Sequence, residues 1–178
     1  VIAVAASGKT PFTLACLRAS KARGALTVGI ANNRGTPILE EADHPIWLDT
    51  GSEPIAGSTR MNAGTSQRIT LNLLSSLVMI LLGRVYEGLM VDLKAVNEKL
   101  VQRSENILMR LTSRSREDAR TALKRADGSI KVAVLLLHGC DLNEATTALN
   151  RTGGQLRRAL ALLAQEAQVD RQRSHRWF

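Results

Sequence analysis

The stretch from Ile69 to Leu82 (ITLNLLSSLVMILL) carries no charged side chain, and it follows directly on a polar segment, Gly51 to Arg68, rich in glycine and hydroxyls. A charge-free helical run needs apolar cover around most of its circumference, so it predicts a buried core helix. It is shorter than a bilayer span and includes Asn72, Ser75 and Ser76, which argues against a membrane segment. The preceding loop delivers hydroxyls and flexible backbone to the helix N-terminus. There the unpaired N–H groups and the positive end of the helix dipole suit an anion such as phosphate. A simpler alternative is that Ser58 or Thr59 only caps the helix.

Upstream, elements alternate. Val1 to Ala5 reads as a buried parallel strand, and Ala6-Ser7-Gly8-Lys9-Thr10-Pro11 as a turn into a helix reaching about Ala22. Phe12, Ala15, Cys16 and Ala19 mark the expected apolar face of that helix. Leu26 to Ala31 predicts a second strand, Ile38 to Ala42 a short helix, and Pro45 to Leu48 a third strand. Strand–helix alternation at this spacing predicts a parallel sheet with crossover helices. In such sheets ligands bind beyond the carboxyl ends of the strands, where Ser7 to Thr10, Asn33 to Thr36 and Glu53 to Thr59 would gather. The chain opens without methionine on an apolar run, which reads as a fragment beginning partway through a domain.

Downstream the pattern turns helical. Gly83 to Gly88 predicts a turn, and Asn97 to Leu111 a helix with Leu100, Ile107, Leu108 and Leu111 on one stripe. Ser115-Arg116-Glu117-Asp118 has the form of a capping box opening another helix. Ile130 to His138, a helix starting at Asp141, and a last helix from Gln155 to about Ala167 follow. Three short helices over Arg116 to Asn150 predict a compact bundle. The expected division is therefore 1–96 for the α/β part, 97–168 for the helical bundle, and 169–178 for a frayed basic tail.

Composition narrows the function. The 178 residues carry a formal charge of +8, but the excess is scattered or sits in the terminal Arg171 to Arg176 segment. With 3% aromatic residues there is little to stack bases on, so an anionic small molecule is expected in preference to nucleic acid. Cys16 and Cys140 lie in apolar segments, as reduced thiols in a cytoplasmic protein would. His44, His138 and His175 are isolated, and no second pair completes a zinc site with His138 and Cys140. Ser-Gly-Lys-Thr at residues 7–10 ends like a P-loop, yet Ala3 stands where the first glycine is needed, so a nucleoside-triphosphate cradle is excluded. No G-x-G-x-x-G is present to mark a dinucleotide fold. A short loop holding one phosphomonoester fits better. Glu53, between Gly51 and Gly57, is a candidate for contact with sugar hydroxyls, or a loop carboxylate on backbone N–H groups.

Gly51-Ser52-Glu53-Pro54-Ile55-Ala56-Gly57-Ser58-Thr59-Arg60-Met61-Asn62-Ala63-Gly64-Thr65 resembles the loop shared by bacterial N-acetylmuramic acid 6-phosphate etherases and the glucokinase regulatory protein. Ala5 to Pro11 resembles the etherase phosphate loop. Leu89-Met90-Val91-Asp92, Asn97-Glu98-Lys99-Leu100 and Gly153-Gly154-Gln155-Leu156-Arg157 extend the likeness over about the first 160 residues. The resemblance implies part of a sugar isomerase (SIS) domain, a doubly wound parallel sheet, followed by a small ubiquitin-associated-like helical bundle. It implies a cytoplasmic homodimer that cleaves the D-lactyl ether of a phosphorylated amino sugar, N-acetylmuramic acid 6-phosphate, with no metal or organic cofactor. By the resemblance, Ser7, Gly8, Lys9 and Thr10 would hold phosphate, Ser58 and Thr59 would complete the rim, and Glu53 would lie near the sugar. The family usually has Arg at position 9 and Lys at positions 62 and 68, where this chain has Lys9, Asn62 and Arg68. The glutamates that serve the family as acid and base belong to the preceding half of the domain, so no catalytic residue is expected in this chain, and the chain alone is expected to be inactive. Two other functions stay open on the same fold: a phosphosugar sensor and an aldose–ketose isomerase.

Overall fold

The computed structural model describes residues 1–93 and 97–174, with only the helical backbone of residues 169–174 described at its end. By contacts it divides into two compact units, Val1–Ser76 and Leu77–Phe178. The boundary expected at 96/97 adjoins residues outside those described.

The first unit is a parallel three-stranded sheet in the order β1 (Ile2–Val4), β2 (Val28–Ala31), β3 (His44–Trp47). Ala3 lies opposite Gly29, and Gly29 opposite Pro45. The crossovers are α1 (Pro11–Ala22) and α2 (Pro37–Glu41), each opened by proline in the first turn, where a missing N–H costs nothing. Gly29 is needed for close approach: a Cβ there would sit 2.4 Å from the Ile38 carbonyl oxygen and 2.8 Å from the Ala42 Cβ. Leu17 of α1 packs with Ala3, Ile38 and Ala42 to form a small core. The face expected to be buried on α1 is instead exposed, with Phe12 at 79% and Ala15, Cys16 and Ala19 also in solvent. Periodicity locates a stripe but not the element that covers it. Leu17 carries the contact.

The charge-free run forms most of α3 (Asn62–Leu81). Contrary to the expectation of a core helix, Ala63 is its only buried residue among those described. Ile69, Leu73, Leu77, Val78, Ile80 and Leu81 are all exposed. Its lack of charge reflects a need for cover that no described element of this chain supplies.

After the end of α3 the second unit forms a hairpin where only a turn was expected: β4 (Val85–Tyr86) pairs antiparallel with β5 (Leu89–Met90). Glu87 and Gly88 both have positive φ, the signature of a two-residue type I′ turn. Five helices follow: α4 (Glu98–Thr112), α5 (Arg116–Arg125), α6 (Ile130–Leu137), α7 (Leu142–Arg151) and α8 (Leu156–Ser174). Their starts are encoded locally. Asn97 caps α4, Ser115 and Asp118 form a reciprocal capping box on α5, and Asp141 and Glu144 form another on α7. Leu108, Ile130, Leu135 and Leu156 lead one continuous aliphatic core that also takes in Val91 after the hairpin. Helix α8 runs past the expected stop at Ala167 to Ser174, and residues 175–178 of the expected tail lie outside those described.

Within this core one carboxylate is fully enclosed. Glu105 of α4 accepts hydrogen bonds from Arg120 Nε at 2.8 Å and Arg116 Nη1 at 3.0 Å, both on α5. Those bonds hold its pKa below the usual carboxylate range despite the opposing cost of burial. The pair therefore fastens α4 to α5.

Candidate functional site: the carboxyl-end rim of the sheet

β1 ends in the turn that carries the first candidates. Gly8 is buried with φ +64°, its N–H donating to the Ala5 carbonyl at 3.0 Å. Its carbonyl accepts from Ile38 N–H at 3.2 Å, so the turn after β1 is fixed to the start of α2. A Cβ on Gly8 would fall 2.1 Å from Thr36 Oγ1, so both the space and the left-handed backbone demand glycine. Thr36 is itself buried and donates its hydroxyl to the Asn33 carbonyl. Around this fixed point Ser7, Lys9 and Thr10 stay exposed. The Ser7 hydroxyl accepts from Lys9 N–H at 3.3 Å. Thr10 precedes Pro11 at the N-cap of α1 without using its own side chain as the cap. A solvent-facing hydroxyl at a helix N-terminus is a competent hydrogen-bonding partner for an oxyanion.

In the loop after β3 the helix cap comes from Glu53, in the second of the two roles expected for it, and not from Ser58 or Thr59. Glu53 folds back so that its two carboxylate oxygens accept from Asn62 N–H at 3.0 Å and Ala63 N–H at 2.9 Å. The first amides of α3 are thus capped by an internal anion. Asn62 reinforces the fold-back by donating its side-chain amide to the Ser52 carbonyl at 2.9 Å. Ser58 is half-buried, with its N–H bonded to the Ile55 carbonyl, and Thr59 is exposed, its carbonyl accepting from Gly64 N–H. These bonds keep the Ser58–Thr59 segment beside the first turn of α3, in the same loop as Glu53.

The role of Asn32 was not apparent from the sequence, nor was the partner of Arg34, which lies in the Asn33–Thr36 loop expected at this rim. Asn32, immediately after β2, bonds to the turn after β1, the exit of β3 and the first turns of α3. Arg34 places its guanidinium 5.0 Å from the centroid of the Trp47 ring, a cation–π contact that holds one positive side chain at this edge. No sequence periodicity could reveal either, because both depend on contacts between separate loops.

The far end of the same sheet is occupied structurally. Asp43 accepts from the Thr27 hydroxyl at 2.8 Å and the Thr27 N–H at 3.0 Å, and pairs with Lys21 at 3.0 Å. The Thr27 hydroxyl, ahead of Lys21, pulls the Asp43 carboxyl down to about 2. Among the described residues no group of three or more His, Cys, Asp or Glu side chains could hold a metal ion, and no helix is long and apolar enough to cross a membrane. Both cysteines are free, Cys16 exposed and Cys140 half-buried with its thiol pKa raised by burial.

The parallel sheet with its crossover helices falls within the segment, residues 1–82, that matches the family described as the SIS domain. The chain is related to the N-acetylmuramic acid 6-phosphate etherases and corresponds to their C-terminal part. It is 47% identical to the N-acetylmuramic acid 6-phosphate etherase of Deinococcus radiodurans over 161 residues, 90% of this chain and 53% of that protein. It is 45% identical to that of Halalkalibacterium halodurans, over 90% of this chain and 54% of that protein. With the etherase of Streptomyces avermitilis the figures are 44%, 90% and 52%. The chain spans about half the length of the relatives it matches.

Proposed function

We propose that the protein to which this chain belongs is a carbon–oxygen lyase that cleaves the D-lactyl ether of N-acetylmuramic acid 6-phosphate, giving N-acetylglucosamine 6-phosphate and D-lactate. The observation that carries this reading is the identity of 41–47% to etherases, which extends across both the SIS segment and the helices that follow it. The chemistry is an elimination: a base takes the proton beside the sugar aldehyde, the lactate oxygen leaves with a proton from an acid, and water adds to the resulting double bond. In this proposal the chain's own part is to bind and orient. Ser7, Gly8, Lys9 and Thr10 hold the phosphate, with Ser58 and Thr59 beside them. Glu53 lies near the sugar while keeping the first turn of α3 in place, and the acid and base come from the rest of the protein.

The fixed Gly8–Thr36 contact and the exposed hydroxyls around it support the phosphate assignment. The exposed apolar face of α3 supports assembly of the whole protein as a homodimer, and the capped, aliphatic helices α5 to α7 support a ubiquitin-associated-like bundle. A cytoplasmic location fits a substrate released during cell-wall recycling. Release of D-lactate from N-acetylmuramic acid 6-phosphate by the full-length protein is the expected result, and its absence overturns the lyase reading. The chain alone is expected to bind N-acetylglucosamine 6-phosphate without releasing lactate from the muramic acid phosphate.

A further inference from the structure

The Asn32 side chain uses every hydrogen-bonding atom it has. Its Nδ2 has three acceptors within reach of its two N–H protons: the Ser66 hydroxyl at 3.0 Å, the Leu48 carbonyl at 3.2 Å and the Thr50 hydroxyl at 3.3 Å. Its Oδ1 accepts from Gln67 Nε2 at 2.8 Å. The orientation of the amide is fixed chemically by the Leu48 carbonyl, which can only accept and so must face Nδ2; Oδ1 is then left toward Gln67, which has to present its amide nitrogen. The backbone is engaged as well: Asn32 N–H donates to the Ala6 carbonyl at 3.0 Å, and its own carbonyl accepts from the Trp47 indole at 3.3 Å. Ala6 is the residue before Ser7, and Ser66 and Gln67 lie in the first turns of the helix that Glu53 caps.

We infer that Asn32 is a positioning residue for anion binding, setting the separation between the phosphate turn at residues 7–10 and the Glu53-capped start of α3. It touches no ligand itself. The phosphate turn is short and its hydroxyls face solvent, so its rigidity toward α3 has to come from a neighbour, and Asn32 is bonded to both sides. A simple fold-stabilising polar group would need only one of these attachments. The inference rests on the phosphosugar reading above and adds a residue that the reading does not contain.

The test uses the 178-residue chain, N-acetylglucosamine 6-phosphate as the probe, and three variants. Asn32→Asp keeps the shape but replaces the donor to Ser66, Leu48 and Thr50 with an acceptor. Because it also adds a negative charge near an anion site, its ligand-free shifts carry the test, and the affinity is judged on Gln67→Met, which adds none. Gln67→Met removes only the donor to Oδ1. Thr27→Val removes a buried hydroxyl bond at the opposite end of β2 and serves as a destabilised control. Backbone amide shifts of residues 7–10 are recorded first without and then with the phosphosugar. The expected result is an affinity weakened by between about twofold and about tenfold for Gln67→Met and a change within about twofold for Thr27→Val, with ligand-free shifts at residues 7–10 moving only in Asn32→Asp and Gln67→Met. Equal losses in Gln67→Met and Thr27→Val overturn the inference, as does unchanged affinity in Gln67→Met or stillness of the ligand-free shifts in both rim variants. Should Asn32→Asp fail to fold, Gln67→Met against Thr27→Val decides by the same criteria. If the unaltered chain does not respond to the phosphosugar, the assignment of phosphate binding to residues 7–10 of this chain fails, whereas the lyase reading is decided by D-lactate release from the full-length protein. The ligand-free shifts then decide the structural tie alone: movement at residues 7–10 in the rim variants upholds it, and stillness overturns it.

Discussion

The two units solve the problem of burying apolar surface in opposite ways. The helical unit encloses Leu108, Ile130, Val134, Leu135 and Leu156 together and opens four of its helices with side-chain caps from Asn97, Ser115, Ser129 and Asp141. The parallel layer holds a core of Ala3, Leu17, Ile38 and Ala42, while Val1, Ile2, Phe12, Leu26 and most of α3 meet solvent. Its order depends more on polar ties: Arg18 with Glu41, Lys21 and Thr27 with Asp43, and Asn32 with its ring of partners. Exposed ion pairs of this kind contribute little individually, whereas each buried aliphatic side chain is worth about 1.5–3 kcal/mol. The helical unit is therefore built to stand by its own packing, and the layer to be completed by further apolar contact.

The sharpest way to break this contrast is to remove the same group from each core. Leu135→Ala should cost about 2–5 kcal/mol and lower the urea midpoint of the helical signal, leaving the layer's amide protection against hydrogen exchange unchanged. Leu17→Ala should do the reverse, with the smaller loss because its surroundings are thin and can relax. A single shared transition for both variants would mean the units are one cooperative body. Gly8→Ala should cost about 2–4 kcal/mol, combining the left-handed backbone with the overlap on Thr36, and the loss should appear in the layer alone by hydrogen exchange. Asp141→Ala should cost about 1 kcal/mol, read from the thermal midpoint of the helical unit.

Acid gives the smallest and most local comparison. The folded-state pKa of Asp43 lies at about 2, below the ordinary carboxylate value, so its contribution is complete above roughly pH 4 and disappears as pH falls through about 2. Glu105 is lowered as well, so its contribution is likewise lost on acidification through its own depressed value. Asp43→Asn should flatten the acid limb for amides of the layer, and Glu105→Gln that for the helical unit. Crossed effects would contradict the division.

What the sequence made legible follows the range of the interaction. The capping boxes at Ser115–Asp118 and Asp141–Glu144 lie within three residues of their partners, and the helix starts they mark are found at Arg116 and Leu142. The parallel order of β1, β2 and β3 follows from strand–helix alternation and appears as expected. The hairpin at Val85–Met90 was missed although Glu87-Gly88 between short apolar pairs is a usable signal. Burial of α3 and of the Phe12 face was misread because apolar content states a need for cover without naming its source. Glu53 takes one of the two roles read for it, a loop carboxylate on backbone N–H groups, although the amides it caps, nine and ten residues on, carry no local mark. The Asn32 bonds to α3 act across 34 and 35 residues, where no local pattern survives.

Glu53 also changes what selectivity at this rim means. The first amides of α3 already carry an intramolecular carboxylate, so an incoming oxyanion finds a tenant of like charge and gains nothing from those donors unless it evicts it. A bare inorganic ion is repelled there and has no second handle. Under the proposed phosphosugar reading, a ligand that anchors its phosphate at a different turn and offers hydroxyl protons toward this carboxylate would meet a waiting acceptor instead.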